Sequence, residues 1–79
     1  MIYIFAPRMV EALYYARAIL RLEQTGPYSF NGANILSSPE QLLGFDGGEF
    51  HVINQFHNPE ITSRMVEAAK AQRMEVKFI

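Results

Sequence analysis

The chain reads as an α/β domain, a small flavodoxin- or Rossmann-like fold. Its expected sheet is four-stranded and mostly parallel, in the order 2-1-3-4, with the elements running β-α-β-(short α)-β-α-β. Three observations predict it. Ile2–Ala6, Phe50–Phe56 and Glu75–Ile79 are short runs rich in β-branched and aromatic residues, which at this length read as strands. Between them lie stretches whose apolar residues recur every three or four positions, the period of a helix with one buried face. Each switch of period carries punctuation: Pro7, Gly26-Pro27, Ser38-Pro39, Gly47-Gly48 and Asn58-Pro59. Strands alternating with helices imply right-handed crossovers, hence parallel pairing.

Ile2–Ala6 is continuously apolar, as suits a central strand covered on both sides. A helix follows from Pro7 or Arg8 to Glu23. Met9, Ala12, Leu13, Ala16, Ile19 and Leu20 make its buried face, and Glu11, Tyr14, Arg17, Ala18 and Arg21 its outer one. Gly26 and Pro27 stop it, one by permitting a left-handed cap and the other by being unable to continue. Tyr28-Ser29-Phe30 is the second strand. Asn31-Gly32 then allows two readings: a two-residue hairpin joining 28–30 to 33–36, or departure from the sheet with Ala33–Ser37 as loop. The loop is preferred, because the hairpin strands would be very short. Ser38, Pro39 and Glu40 mark the start of a single helical turn reaching Leu43, and Gly44 closes it.

Phe45-Asp46-Gly47-Gly48 turns the chain into the strand Phe50–Phe56. Asn58 is an N-cap residue, Pro59 the first helical position and Glu60 an acid at the positive end of the helix. Ile61, Met65, Ala68 and Ala69 form the inner stripe of this second helix, which ends near Arg73. Glu75–Ile79 is the last strand. In the expected sheet the switch point lies outside the carboxyl ends of the first and third strands, placing Ala6-Pro7-Arg8 beside Gln55–Asn58.

The totals narrow the function classes. With 79 residues there is room for one domain, 1–79, and a chain so short buries only about 60–65% of its unfolded surface. It has no cysteine, so neither disulfides nor a thiolate metal site reinforce it, and dimerisation is one way to bury more. Seven basic and eight acidic side chains give a net charge of −1. That provides no global attraction to nucleic acid or to an anionic membrane. No apolar run approaches the roughly 20 residues that span a bilayer, and the opening segment lacks a basic region of the secretory type. The expectation is a soluble, cytoplasmic protein.

No P-loop, nucleophile elbow, zinc pattern or calcium loop occurs, and no cofactor is expected. The turn after the first strand has no glycine, and Pro7 offers no donor to a phosphate. Arg8, His57 and Asn58 are the candidate ligand crevice at the switch point. His51 and His57 lie on one extended strand, roughly 20 Å apart at about 3.3 Å per residue, so they cannot share a metal. His51 reads as structural, and Asp46 and Glu49 as turn and strand-start residues at the opposite end. Tyr14, Arg17 and Arg21 share the outer helix face, with Tyr15 and Leu22 on its flank. Tyrosine and arginine are enriched at interface hot spots, so these five residues are the candidate protein interface.

Two resemblances follow from stretches already quoted. Met1-Ile2-Tyr3-Ile4-Phe5-Ala6-Pro7 and Phe45-Asp46-Gly47-Gly48-Glu49 are similar to elements of nucleoside 2-deoxyribosyltransferase-like proteins, whose catalytic glutamate follows an Asp-Gly-containing loop. In that family a helix follows the glutamate, whereas Glu49 leads into a strand. The chain is also much shorter than those enzymes, so no catalytic residue is carried over. Over most of its length the chain resembles short bacteriophage-encoded α/β proteins without known activity. The resemblance rests on Ile-Tyr-Ile-Phe-Ala-Pro-Arg, the helix Glu-Ala-Leu-Tyr-Tyr-Ala, and the closing Val-Glu-Ala-Ala-Lys-Ala-Gln-Arg-Met-Glu-Val-Lys-Phe. It implies a viral accessory protein in the host cytoplasm that binds a host protein. The combined expectation is a non-enzymatic interaction protein, a homodimer or a binder of another protein, acting through the first helix. The alternative is a small nucleotide- or phosphate-binding protein or hydrolase working at the switch-point crevice.

Overall fold

A computed structural model describes all residues from Met1 to Ile79. The elements are β1 (Ile2–Phe5), α1 (Met9–Tyr14) continuing into a π-helical turn (Tyr15–Ile19), β2 (Gln24–Gly26), β3 (Ser29–Phe30) and β4 (Ala33–Ile35). A 3₁₀ turn (Pro39–Leu42), β5 (Glu49–Val52), α2 (Pro59–Ala71) and β6 (Glu75–Phe78) complete the chain. They build one six-stranded sheet in the order β2-β3-β4-β1-β5-β6. The pairings β4–β1, β1–β5 and β5–β6 are parallel, and β2–β3 and β3–β4 are antiparallel.

This corrects the expected fold: the sheet is six-stranded and mixed, not four-stranded and mostly parallel in the order 2-1-3-4. The difference arises between Gln24 and Ile35, where the chain forms an antiparallel meander. Phe30 pairs with Ala33 across Asn31-Gly32, so the hairpin forms and the loop does not. Only Gly32 of the two takes a positive φ, 95°, so the turn is not type I′, which needs positive φ at both central residues. Strands this short persist because Phe30, Ala33 and Ile35 are buried under α1. Packing, not strand length, stabilises them.

The first helix also ends early. Its regular part stops at Tyr14, and the turn over Tyr15–Ile19 is wider, closed by Leu20 N–H donating to Tyr15 C=O at 2.9 Å. A π-turn inserts a residue relative to the 3.6 period, so side chains beyond it rotate around the axis. Ile19, expected in the core, emerges 59% exposed. Arg21 then takes φ 55°, the left-handed role usually given to glycine after a helix. Residues 20–23, expected in the helix, lie outside it, and Gly26-Pro27 is not its stop, since residues 24–26 form β2.

β5 is shorter than expected because Asn54, at φ 56°, turns the chain out of the sheet. His57 therefore lies beyond the strand, and the 20 Å separation that an unbroken strand would impose between the two histidines does not apply. At the other end of β5, Gly47 and Gly48 have φ of 79° and 99°. A β-carbon on Gly48 would come within 2.8 Å of Met1 C=O, so glycine is required where β5 enters beside β1.

Each face of the sheet packs its own layer. Tyr3, Phe5, Phe50 and Val52 face α2 and the 3₁₀ turn, meeting Leu42, Met65, Ala69 and Met74. Ile4, Phe30, Ala33 and Ile35 face α1 and its π-turn, meeting Ala12, Tyr15 and Ala16. β1 is buried on both sides, as its continuous apolar sequence requires. No helix is long and apolar enough to cross a membrane.

Candidate functional site

The α1 layer leaves part of its sheet face open. Its core draws on β1, β3 and β4 and takes in Ile53 just past β5, but nothing from β6. On this face the alternating residues of β5 and β6 are Glu49, His51, Glu75 and Lys77, in a register that sets Glu49 beside Glu75 and His51 beside Lys77.

These side chains form a hydrogen-bonded row running out from under the helix. The Tyr15 hydroxyl lies 2.7 Å from His51 Nδ1, His51 Nε2 lies 3.2 Å from Glu49 Oε1, and Lys77 Nζ lies 2.7 Å from the same oxygen. A carboxylate only accepts, so Nε2 carries a proton and donates to Glu49. In the neutral ring Nδ1 is then the acceptor, and Tyr15 donates to it. The Tyr15 ring meets the imidazole edge-on, with centroids 5.8 Å apart. The ammonium of Lys77, and secondarily the His51 hydrogen bond, hold the Glu49 carboxyl below its ordinary pKa. Glu49 in turn raises Lys77. Burial, reinforced by the Glu49 charge, raises the Tyr15 hydroxyl. Both nitrogens of His51 are engaged and the residue is only 6% exposed. The row therefore orients Tyr15 and supports the polar side of a half-open face.

Beside it lies an apolar groove of about 490 Å³, walled by Val10, Tyr14 and Ile19 from the helix and by Ile53 and Ile79 from the strand ends. Tyr15 also lines it, and Glu11 is its one charged residue. Val10, Tyr14, Ile19 and Ile79 are each more than half exposed. Glu11 is already engaged: Asn54 Nδ2 donates to its Oε2 at 3.0 Å, and Arg8 Nε stands 4.0 Å from its Oε1. The π-turn creates this groove by bringing Ile19 to the surface one turn beyond Tyr14.

The residues expected at a helix interface are dispersed. Tyr14 is exposed on the groove wall, whereas Tyr15 is buried against His51 and Leu22 packs half-buried against the α1 core. Arg17 turns to β2, its Nε and Nη2 donating to Gln24 Oε1 at 3.0 and 2.7 Å. Arg21, past the helix end, is exposed.

At the expected crevice, Arg8 precedes α1 and leans toward Glu11. His57 and Asn58 are exposed. His57 N–H donates to Asn54 C=O, and Asn58 precedes α2 without a side-chain capping bond. The switch point itself is bridged by Asn54 to Glu11 and by Ile53 N–H donating to Phe5 C=O at 2.8 Å. No group of three or more His, Cys, Asp or Glu side chains is placed to hold a metal ion.

Sequence reasoning missed Glu49, His51, Lys77, Ile53 and Ile79 as parts of one face. A signal was present: Glu49 and His51 are two apart on a strand, and so are Glu75 and Lys77, so each pair shares a face. A histidine alternating with buried Phe50 and Val52 marks a strand whose two faces differ. Comparison with protein-family models, curated proteins and solved structures finds no match to this chain.

Proposed function

We propose that the protein is a non-enzymatic interaction protein of the cytoplasm, which grips apolar side chains of a protein partner in the groove beside α1. One observation carries this reading. Val10, Tyr14, Ile19, Ile53 and Ile79 converge on a single open groove in a chain with little apolar surface to spare. Contiguous exposed apolar surface on a small protein marks interaction sites, whereas scattered apolar residues do not. The polar groups nearby point the same way. Glu11 and His51 are already hydrogen-bonded, so neither offers a free base to a substrate. Arg8, the cation a phosphate ligand would need, leans toward Glu11, which favours an apolar partner over a nucleotide. The resemblance to phage-encoded α/β proteins supports a partner in a bacterial host.

A photo-crosslinking side chain at Tyr14, introduced into the chain in growing cells, tests this. It should yield one adduct of defined mass that is absent when the same group replaces Lys70, an exposed residue of α2. Ile19→Glu should reduce the adduct by about tenfold or more, as expected for a central apolar contact. Equal labelling from both positions, or insensitivity to Ile19→Glu, would remove the groove from consideration.

A further inference from the structure

β6 closes one end of the sheet with its outer edge unpaired. Glu75 N–H donates to Gly48 C=O and Ile79 N–H to Val52 C=O, so the odd-numbered residues turn their main-chain groups toward β5. A strand alternates, and Val76 and Phe78 therefore aim their N–H and C=O groups outward. Folded proteins seldom leave such an edge without a device that blocks pairing or a partner that completes it. No proline, bulge or covering loop shields this one, and its side chains stay accessible, with Phe78 and Ile79 each more than half exposed. The only deterrents are the charges of Glu75 and Lys77.

Those charges select the partner. Glu75 is exposed, stands beside Glu49 across the β5–β6 pairing, and joins none of the ion pairs within the chain. Lys77 lies two residues away on the same face. We propose that the partner is a second copy of this chain, its β6 antiparallel to the first across a two-fold axis at Val76. In that register Glu75 of each copy stands opposite Lys77 of the other, on the α1 face. On the α2 face Val76 meets Val76, and Phe78 meets Met74. The outward N–H of Val76 donates to the C=O of Val76 in the second copy and that of Phe78 to the C=O of Met74, and the two-fold axis repeats both bonds, while the Met74 N–H stays on Ala69 C=O of its own chain. Shifting the axis to residue 75 or to residue 77 would set Glu75 against Glu75 or Lys77 against Lys77, and directly opposed like charges destabilise a strand pair. The Val76-centred register is the one that uses the whole strand and pairs both charges. It sets the Glu75 carboxylate of one chain beside the Lys77 ammonium of the next, an ammonium that also holds Glu49 of its own chain at 2.7 Å, and it joins two six-stranded sheets into one.

Sedimentation velocity over a concentration series tests the dimer separately from the groove. The native chain should reach twice its 9.0 kDa mass. Glu75→Lys and Lys77→Glu each set like charges across the axis, so each alone should weaken association by about tenfold or more. An equimolar mixture of the two should associate again, because the heterodimer pairs every charge with its opposite. Val76→Pro removes an outward donor without touching the β5 ladder and should leave a folded monomer, checked by its circular dichroism. Native chain that stays monomeric into the millimolar range would overturn the proposal. So would a dimer that survives Val76→Pro but dissociates with Ile19→Glu, which would move self-association to the groove.

Discussion

The two faces of the sheet solve different problems with the same strands. Toward α2 the surface is closed and dry: Phe50, Val52, Leu42, Met65 and Ala69 have no exposure. The one buried hydroxyl there without a partner is that of Thr62. Toward α1 the cover stops short of β6, and the uncovered strip carries the row from Tyr15 to Lys77 and the apolar groove. A marginal chain of this size must make at least one face a complete core. With α2 doing that, the other face has room for an apolar groove that stability does not require.

Damage to the closed face should have the largest effect. Phe50→Ala removes the largest fully buried side chain and should cost about 3–5 kcal/mol, most of the stability of a domain this small. Its measure is loss of cooperative unfolding in urea. Survival with only a small change would show that the α2 face is not the principal core. On the open face, Tyr15→Phe keeps the ring but deprives buried His51 Nδ1 of its donor. That should cost about 1–3 kcal/mol, seen as a fall of several degrees in melting temperature. No change would mean that the hydroxyl contributes nothing to holding the helix over β5.

The smallest effect is electrostatic. Glu49 is held below its ordinary pKa by Lys77 first and His51 second. Its contribution to stability is therefore full above the ordinary carboxylate range and lost as pH falls through the lowered value. Lys77, raised by Glu49, contributes below the ordinary lysine pKa and loses that contribution as pH rises through its own raised value. Tyr15, raised chiefly by burial, adds a loss of the same sign above about pH 10. The stability difference between the native chain and Glu49→Gln should be widest between about pH 5 and 10 and narrow at both ends. A difference constant across pH in urea titrations would dissociate the pair from stability. Because both partners are substantially exposed, the amplitude stays small.

What the sequence made legible was local. Pro59 after Asn58 marked the start of α2, and Ile61, Met65, Ala68 and Ala69 lie in or against its core. Gln41 Oε1 accepts from the N–H groups of Ser37 and Ser38, satisfying the start of the short turn that Ser38-Pro39 signalled. The meander from Gln24 to Ile35 was not legible in the same way. Its strands are too short to show a period, and the burial of Phe30, Ala33 and Ile35 exists only once α1 lies over them. The site suffered twice. A π-turn has no pattern of its own in the residues Tyr15–Ile19, yet Ile19 faces outward, Tyr15 is buried and Arg17 is drawn to Gln24. The row Tyr15–His51–Glu49–Lys77 joins three elements far apart in the chain, and no spacing in one segment reports on another.

The residues alone fix where α2 and the short turn begin, at Asn58-Pro59 and Ser38-Pro39, and that β1 is buried on both sides. Those are properties of a few consecutive residues, set by backbone sterics and by the alternation or period of apolar side chains. Tertiary structure alone decided that the sheet has six strands of mixed direction, that α1 widens into a π-turn, and that the α1 face stays half open. Each of these depends on which surfaces compete for the same neighbours, and that competition is resolved only when the whole chain packs.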